Sequence, residues 1–134
     1  MSRPQFNRAR NLPRARGARP RPATERMNKG EGQYADVLEA QKASGAISGW
    51  WYEPFNWRMA DSTYYRPDFL VMQADGTLEL HEVKGRKNGK DGKPDTFWKE
   101  EDAWLKLKLI AEHCPIPVRV VWPKRAGGWE VESV

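Results

Sequence analysis

Two short apolar runs joined by a turn form the clearest pattern of hydrophobic positions in the chain. Residues 69–72 and 78–83 have the composition of β-strands. Between them, Ala74-Asp75-Gly76-Thr77 is typical of a hairpin turn. The stretch therefore predicts an antiparallel hairpin near the middle of the chain.

Two segments have helical composition. Residues 27–44 form the first, and Ser44-Gly45 ends it. The second is predicted to begin at Asp95 or Thr96, which would cap it, and to continue to about residue 113. Its apolar stripe is predicted to contain Trp98, Leu105 and Leu109.

Three further segments have strand character. Residues 46–59 are rich in aromatic side chains and are interrupted by Pro54, whereas 118–122 and 129–132 could pair as a final hairpin. Aromatic residues such as those of 46–59 more often pack in a core or an interface than stack on unpaired bases. The order helix, three strands, helix, two strands predicts an α+β fold in which a mostly antiparallel central sheet carries a helix on each face.

The length of the hairpin loop decides where the charged residues of the two strands lie. A two-residue loop would place Asp68 opposite Val83, on the other face from Glu82 and Lys84. A three-residue loop, closed by Gly76 in the left-handed conformation, would place Asp68 opposite Glu82, with Lys84 on the same side. We favour the three-residue loop, because it groups the apolar pairs at the turn and the charged residues at the open end.

Two carboxylates that face each other repel unless a positive charge lies between them. Magnesium takes oxygen ligands, commonly one or two carboxylates completed by water and substrate phosphate. A lysine such as Lys84 could position an attacking water or stabilise charge on a phosphate. The alternative is that Asp68, Glu82 and Lys84 form an ordinary charged group on a solvated face.

Three ordered blocks carry a family resemblance. They are Asn28-Lys29-Gly30-Glu31-Gly32-Gln33-Tyr34, Tyr65-Arg66-Pro67-Asp68-Phe69 and His81-Glu82-Val83-Lys84-Gly85. Together they resemble the PD-(D/E)xK nuclease superfamily. More narrowly, the chain is similar to a family of small phage and prophage-encoded single-domain proteins that are distantly similar to phage junction-resolving endonucleases.

The resemblance covers about residues 27–134 and implies a restriction-endonuclease-like core with magnesium-dependent hydrolysis of DNA, in which manganese would substitute for magnesium. It implies that Asp68, Glu82 and the carbonyl of Val83 hold the metal and that Lys84 positions the nucleophile. It also suggests branched DNA as the substrate, for which a resolvase would act as a homodimer. Nicking or processing of replicating phage DNA is the alternative activity.

Glu31 has two possible roles. Asn28 is a plausible N-cap, and Glu31 three residues later would complete a capping box. The resemblance instead implies that Glu31 approaches the metal site directly or through water. Both roles remain open at this point.

The positive charge of the chain is concentrated at its N-terminus. Residues 1–29 contain eight Arg and one Lys against one Glu, whereas 30–134 contain 14 basic and 17 acidic residues. Residues 1–26 are also rich in proline and poor in large apolar residues, which predicts a disordered tail ahead of a single domain at 27–134. Arg14 and Arg16 of this tail are expected to contact nucleic-acid phosphates, although a solubilising or partner-binding arm is an alternative.

A polar loop follows the strand that carries Glu82 and Lys84. Its residues Arg86, Lys87 and Lys90 are expected to contact phosphates, or else to belong to a solvated linker.

A single cysteine, Cys114, excludes an internal disulfide, and no apolar run approaches the length of a membrane span. These features predict a cytoplasmic protein without a membrane partner, and the resemblance to phage proteins implies a bacterial host.

Two other functional classes remain possible on this sequence. The first is a non-catalytic nucleic-acid-binding module on a nuclease fold, but such a module would be expected to lack one of Asp68, Glu82 and Lys84, and all three are present. The second, a structural or regulatory phage protein, would leave the charges of the hairpin unexplained.

Overall fold

A computed structural model describes residues 26–134 of the chain. The predicted N-terminal tail, with Arg14 and Arg16, lies outside these residues apart from Arg26. Helix α1 (Lys29–Ser44) starts at a complete capping box: the side chain of Asn28 accepts from the Glu31 N–H at 2.8 Å, and Glu31 Oε1 accepts from the Asn28 N–H at 3.0 Å. It ends at Gly45, which has a φ of 83° and is therefore in the left-handed conformation that glycine adopts most easily.

The central sheet has five strands, and its elements confirm the predicted α+β class. Along the chain they are β1 (Ile47–Tyr52), β4 (Phe69–Gln73), β5 (Leu78–Val83), β8 (Val118–Pro123) and β9 (Trp129–Ser133). Their order across the sheet is β1-β4-β5-β8-β9. Every pairing is antiparallel except the parallel pairing of β5 with β8.

Two short strand pairs complete the described part of the chain and were not predicted. The first joins β2 (Trp57–Ala60) to β3 (Thr63–Tyr65), and the second joins β6 (Arg86–Lys87) to β7 (Thr96–Phe97). Helix α2 (Glu101–His113) follows β7. Within residues 26–134 no helix is long and apolar enough to cross a membrane.

The hairpin of β4 and β5 has the predicted three-residue loop. Leu70 pairs with Leu80 and Met72 with Leu78. Gly76 has a φ of 88° and donates its N–H to the carbonyl of Gln73 at 2.9 Å. An L-residue with a side chain would be strained in this conformation, so glycine fixes the loop length and with it the register of the two strands.

The two helices cover opposite faces of the sheet, as predicted. Helix α1 packs against one buried cluster that includes Phe69, Val71 and Val121, whereas α2 packs against another that includes Leu80 and Val120. Adjacent residues of a strand point to opposite faces, so Val120 and Val121 assign one helix to each face. The single cysteine, Cys114, is buried at the C-terminal end of α2.

The predicted start of the second helix was wrong. Helix α2 begins at Glu101 without a side-chain cap, and Thr96 belongs to β7. Asp95 accepts a hydrogen bond from the Gly89 N–H at 2.8 Å and forms an ion pair with Arg125. The side chain that was expected to cap a helix therefore closes the loop between β6 and β7.

The predicted apolar stripe of this helix was also wrong. Leu105 and Leu109 are 53% and 38% exposed, whereas Leu107 and Ile110 are 1% exposed. Leucine and isoleucine occupy positions around most of the helix, so their spacing alone does not select one face. Contact with the sheet residues below the helix makes that selection.

Candidate functional site

Asp68 and Glu82 lie next to each other at the open end of the hairpin. The backbone N–H of Asp68 donates to Glu82 Oε1 at 2.9 Å, and the backbone N–H of Val83 donates to Asp68 Oδ2 at 2.9 Å. Each carboxylate is therefore fixed by the backbone of the opposite strand. Among residues 26–134, no backbone N–H or hydroxyl binds the second oxygen of either carboxylate.

Burial makes this pair of carboxylates unfavourable when both are ionised. Glu82 is 6% exposed. Burial, and then the neighbouring Glu82 charge, raises the pKa of Asp68 to about 9. Burial also raises the pKa of Glu82, against the hydrogen bonds from Tyr65 and the Asp68 N–H and the charge of Lys84, which lower it. At neutral pH the pair therefore requires either a shared proton or a cation.

The donor set fits a hard divalent cation. Two carboxylates each offer an oxygen that is free of backbone hydrogen bonds, and oxygen is the ligand that magnesium prefers. Within residues 26–134, no three carboxylate, imidazole or thiol groups come close enough together to hold a metal. A metal at Asp68 and Glu82 would therefore take its remaining ligands from backbone carbonyls, water or a bound substrate.

Lys84 and Val83 follow Glu82 at the end of β5. The Lys84 N–H donates to the carbonyl of Val121 at 2.9 Å, and the Lys84 side chain is near enough to Glu82 to lower its pKa. The Val83 side chain packs in the cluster beneath α1. Only the backbone of Val83 is thus available to the site, which is the part that its predicted role as a carbonyl ligand requires.

Tyr65 belongs to the site but was not predicted as part of it. This residue of β3 is 8% exposed, and its hydroxyl donates to Glu82 Oε1. Its ring lies in the cluster beneath α2. The only signal in the sequence is its position in the block Tyr65-Arg66-Pro67-Asp68, which does not reveal a bond to Glu82.

If Asp68 and Glu82 hold magnesium, we expect Tyr65→Phe to weaken its binding about 10- to 100-fold, as is usual when a partner of a metal ligand is lost. The hydroxyl favours the ionised form of Glu82, so its removal raises the pKa of that carboxyl further and favours the proton over the metal. Calorimetric titration with magnesium at fixed pH measures the effect. Tyr64→Phe, an exposed tyrosine on the same strand, is the control. Equal affinities of wild type and Tyr65→Phe would contradict this role.

Glu31 forms the predicted cap and also contacts the strand next to the hairpin. It is 8% exposed, and while Oε1 completes the capping box, Oε2 accepts from the Tyr52 hydroxyl at 3.2 Å. After burial and Glu82, the charge of Glu31 also contributes to the raised pKa of Asp68. The helix start therefore lies close to the carboxylate pair, although both Glu31 oxygens are already hydrogen-bonded.

The basic residues expected to contact phosphates lie partly on an ordered strand pair. Arg86 and Lys87 form β6, and their backbones pair with β7. The Lys87 ammonium lies 5.2 Å from the centre of the Trp98 ring. Lys90 is exposed in the loop between the two strands. The segment after Gly85 is thus a short ribbon with a loop at its tip and not a simple linker.

His81 lies away from the carboxylate pair, as the favoured register predicts. It is buried beneath α1, where its Nδ1 forms a hydrogen bond with the Tyr34 hydroxyl and its Nε2 lies 3.3 Å from Glu79 Oε1. Burial lowers the pKa of His81, so the ring is neutral near pH 7.

Comparisons of the chain with family models, with curated proteins and with solved structures found no match.

Proposed function

We propose that this chain is a magnesium-dependent endonuclease that hydrolyses phosphodiester bonds of DNA. The observation that carries the proposal is the mutually braced pair of half-buried Asp68 and buried Glu82, with Lys84 two residues after Glu82, directly beyond the end of β5. A buried carboxylate pair of this kind is costly to keep unless it binds a cation. The three side chains match the PD-(D/E)xK pattern, and we extend the proposal to a restriction-endonuclease-like core.

In this mechanism the side chains of Asp68 and Glu82, with the carbonyl of Val83, would hold the magnesium ion. Such an ion supplies positive charge at the scissile phosphate and lowers the pKa of a bound water. Lys84 positions the attacking water and stabilises the negative charge that develops on the phosphate. Tyr65 and the two backbone N–H groups keep both carboxylates oriented before the substrate arrives.

The basic side chains near the site would neutralise phosphates along the bound strand. Arg86, Lys87 and Lys90 follow the catalytic strand directly, and we assign the same role to Arg14 and Arg16. Contacts of this kind bind DNA without reading its sequence. We further propose branched DNA in the bacterial cytoplasm as the substrate, cut by a homodimer.

Cleavage of a labelled four-way junction tests the proposal. The junction is compared with linear duplex and single strands of the same sequence, in magnesium, in manganese and in EDTA, with wild type and Lys84→Ala. Metal-dependent cutting by wild type alone is the expected result, and symmetric nicking of the junction would indicate a resolving enzyme. Binding without cutting under every condition would refute the endonuclease and favour a non-catalytic module.

Glu31→Gln separates the two roles of that residue. The carbonyl oxygen of glutamine still accepts from the Asn28 N–H, and its amide N–H can donate to the Tyr52 hydroxyl, so the melting temperature should change little, whereas the charge near Asp68 is lost. If Glu31 also acts on the metal site, we expect cleavage to fall about 10-fold, as for other residues that support metal ligands. Glu39→Gln, an exposed residue of the same helix whose Oε2 accepts from the Trp50 Nε1–H, is the matched control, because glutamine can also accept this bond. Unchanged cleavage by Glu31→Gln would leave the cap as its single role.

A further inference from the structure

Trp98 is exposed directly beside the end of the catalytic strand. Its backbone N–H donates to the carbonyl of Gly85 at 3.0 Å. Its indole lies so close to Gly85 that a Cβ added there would be 3.5 Å from the ring atom Cδ1. Gly85 follows Lys84 in the sequence, so the indole lies beside the residue directly after the proposed catalytic lysine.

The core does not need this side chain. The preceding residue, Phe97, is 1% exposed and packs against Trp104 and Trp122, whereas Trp98 is 58% exposed. Neighbouring residues of an extended segment point in opposite directions, so burial of Phe97 directs Trp98 outward. An exposed indole beside a proposed active site is available to a ligand.

The surroundings of Trp98 are strongly basic. Residues 84–99 contain six lysine or arginine residues and two aspartates, although residues 30–134 as a whole carry more acidic than basic side chains. One of the two aspartates, Asp95, is paired with Arg125. The Lys87 ammonium lies 5.2 Å from the centre of the Trp98 ring. Positive charge around an exposed aromatic ring is the combination that binds unpaired nucleotides.

The ribbon that carries Trp98 is well braced. Arg86 pairs with Phe97 and Lys87 with Thr96. At the tip, the Gly89 N–H is bound by Asp95, and a Cβ on Gly89 would lie 1.9 Å from the carbonyl oxygen of Lys93. The loop can close only with glycine at this position, so the indole is presented from a fixed support.

We propose that Trp98 is a stacking platform for an unpaired nucleobase of the DNA strand whose phosphate lies at Asp68 and Glu82. The inference rests on the proposed function and names its substrate class, which is DNA with an unstacked base close to the cut. A base within a continuous duplex is already stacked on both faces and must be extruded before it can reach a side chain. Branch points, frayed ends and single strands offer such a base without that cost.

The test measures stacking and cleavage separately. A branched DNA carrying the fluorescent base 2-aminopurine at successive positions around the branch is titrated with protein in EDTA, where no cutting occurs. Quenching at one or two positions is expected for wild type. We expect Trp98→Ala to lose the quenching and to bind branched DNA about 10-fold more weakly, while Trp98→Phe retains most of both. Duplex affinity and the salt dependence of binding should not change, because no charge is removed.

Leu105→Ala is the control for loss of an exposed apolar side chain, since Leu105 is 53% exposed on α2. The inference is overturned if Trp98→Ala binds and quenches like wild type, or if it loses duplex and branched DNA affinity equally. Metal-dependent cleavage that does not depend on Trp98 would refute the stacking role and leave the proposed endonuclease activity intact. Trp98-dependent quenching without any cleavage in magnesium would support stacking and refute the endonuclease.

Discussion

Asp68→Asn should abolish metal-dependent cleavage, with a loss of about 10³-fold or more, while the protein stays folded. The carbonyl oxygen of asparagine can still accept from the Val83 N–H, so the link between the two strands is preserved. The negative charge that would bind the metal is lost. Lys84→Ala should cause a loss of similar size through a different step, because the metal still binds but the water is no longer positioned.

Gel-based cleavage assays and magnesium titration distinguish the two variants. Asp68→Asn should lose both metal binding and cleavage, whereas Lys84→Ala should lose cleavage alone. Asp36→Asn and Lys106→Ala, both at exposed helix positions, are the matched controls and should behave like wild type. Full activity in either Asp68→Asn or Lys84→Ala would remove these residues from the proposed mechanism.

The metal-free protein should lose stability as the pH rises, and magnesium should restore it. The pKa of Asp68 rises from 3.8 to about 9 on folding, so its contribution is complete below the lower value and is lost as the pH rises towards the upper one. In EDTA we expect the melting temperature to fall by about 10 °C more in wild type than in Asp68→Asn between pH 5 and pH 9. The asparagine cannot ionise and therefore does not share this loss.

Magnesium competes with the proton for the same oxygens, so its stabilising effect should grow with pH. Differential scanning fluorimetry at pH 6 and pH 9, with and without magnesium, measures this effect. Comparing wild type with Asp68→Asn at each pH cancels the titration of other groups. If magnesium shifts both proteins equally, or shifts wild type more at pH 6 than at pH 9, then the pair is not the metal site.

The parts of the fold that depend on local rules were predictable from the sequence. Gly76 determined the loop length, the loop determined the register, and the register placed Asp68 beside Glu82. The capping box of Asn28 and Glu31 was equally predictable from the sequence, because both partners lie within one helical turn.

Features that depend on distant contacts were not predictable. The bond from Tyr65 to Glu82 joins residues that are 17 positions apart in the sequence, and no local pattern encodes it. Residues 96 and 97 have side chains compatible with a helix, but their pairing with β6 takes precedence. The same pairing turned Trp98 from a predicted helix-stripe residue into an exposed side chain beside Gly85.

The parallel pairing of β5 with β8 has a consequence for the order in which the protein folds. Leu80 pairs with Val118 and Val83 with Val121, so the strand that carries Glu82 has its second neighbour only after α2 has been synthesised. A nascent chain that ends before residue 118 leaves β5 as an edge strand, with its backbone groups unpaired on one side. Pairing between such distant segments is slow to form. Emergence of β8 from the ribosome therefore covers this edge of β5 and adds Val118 and Val120 to the core beneath α2.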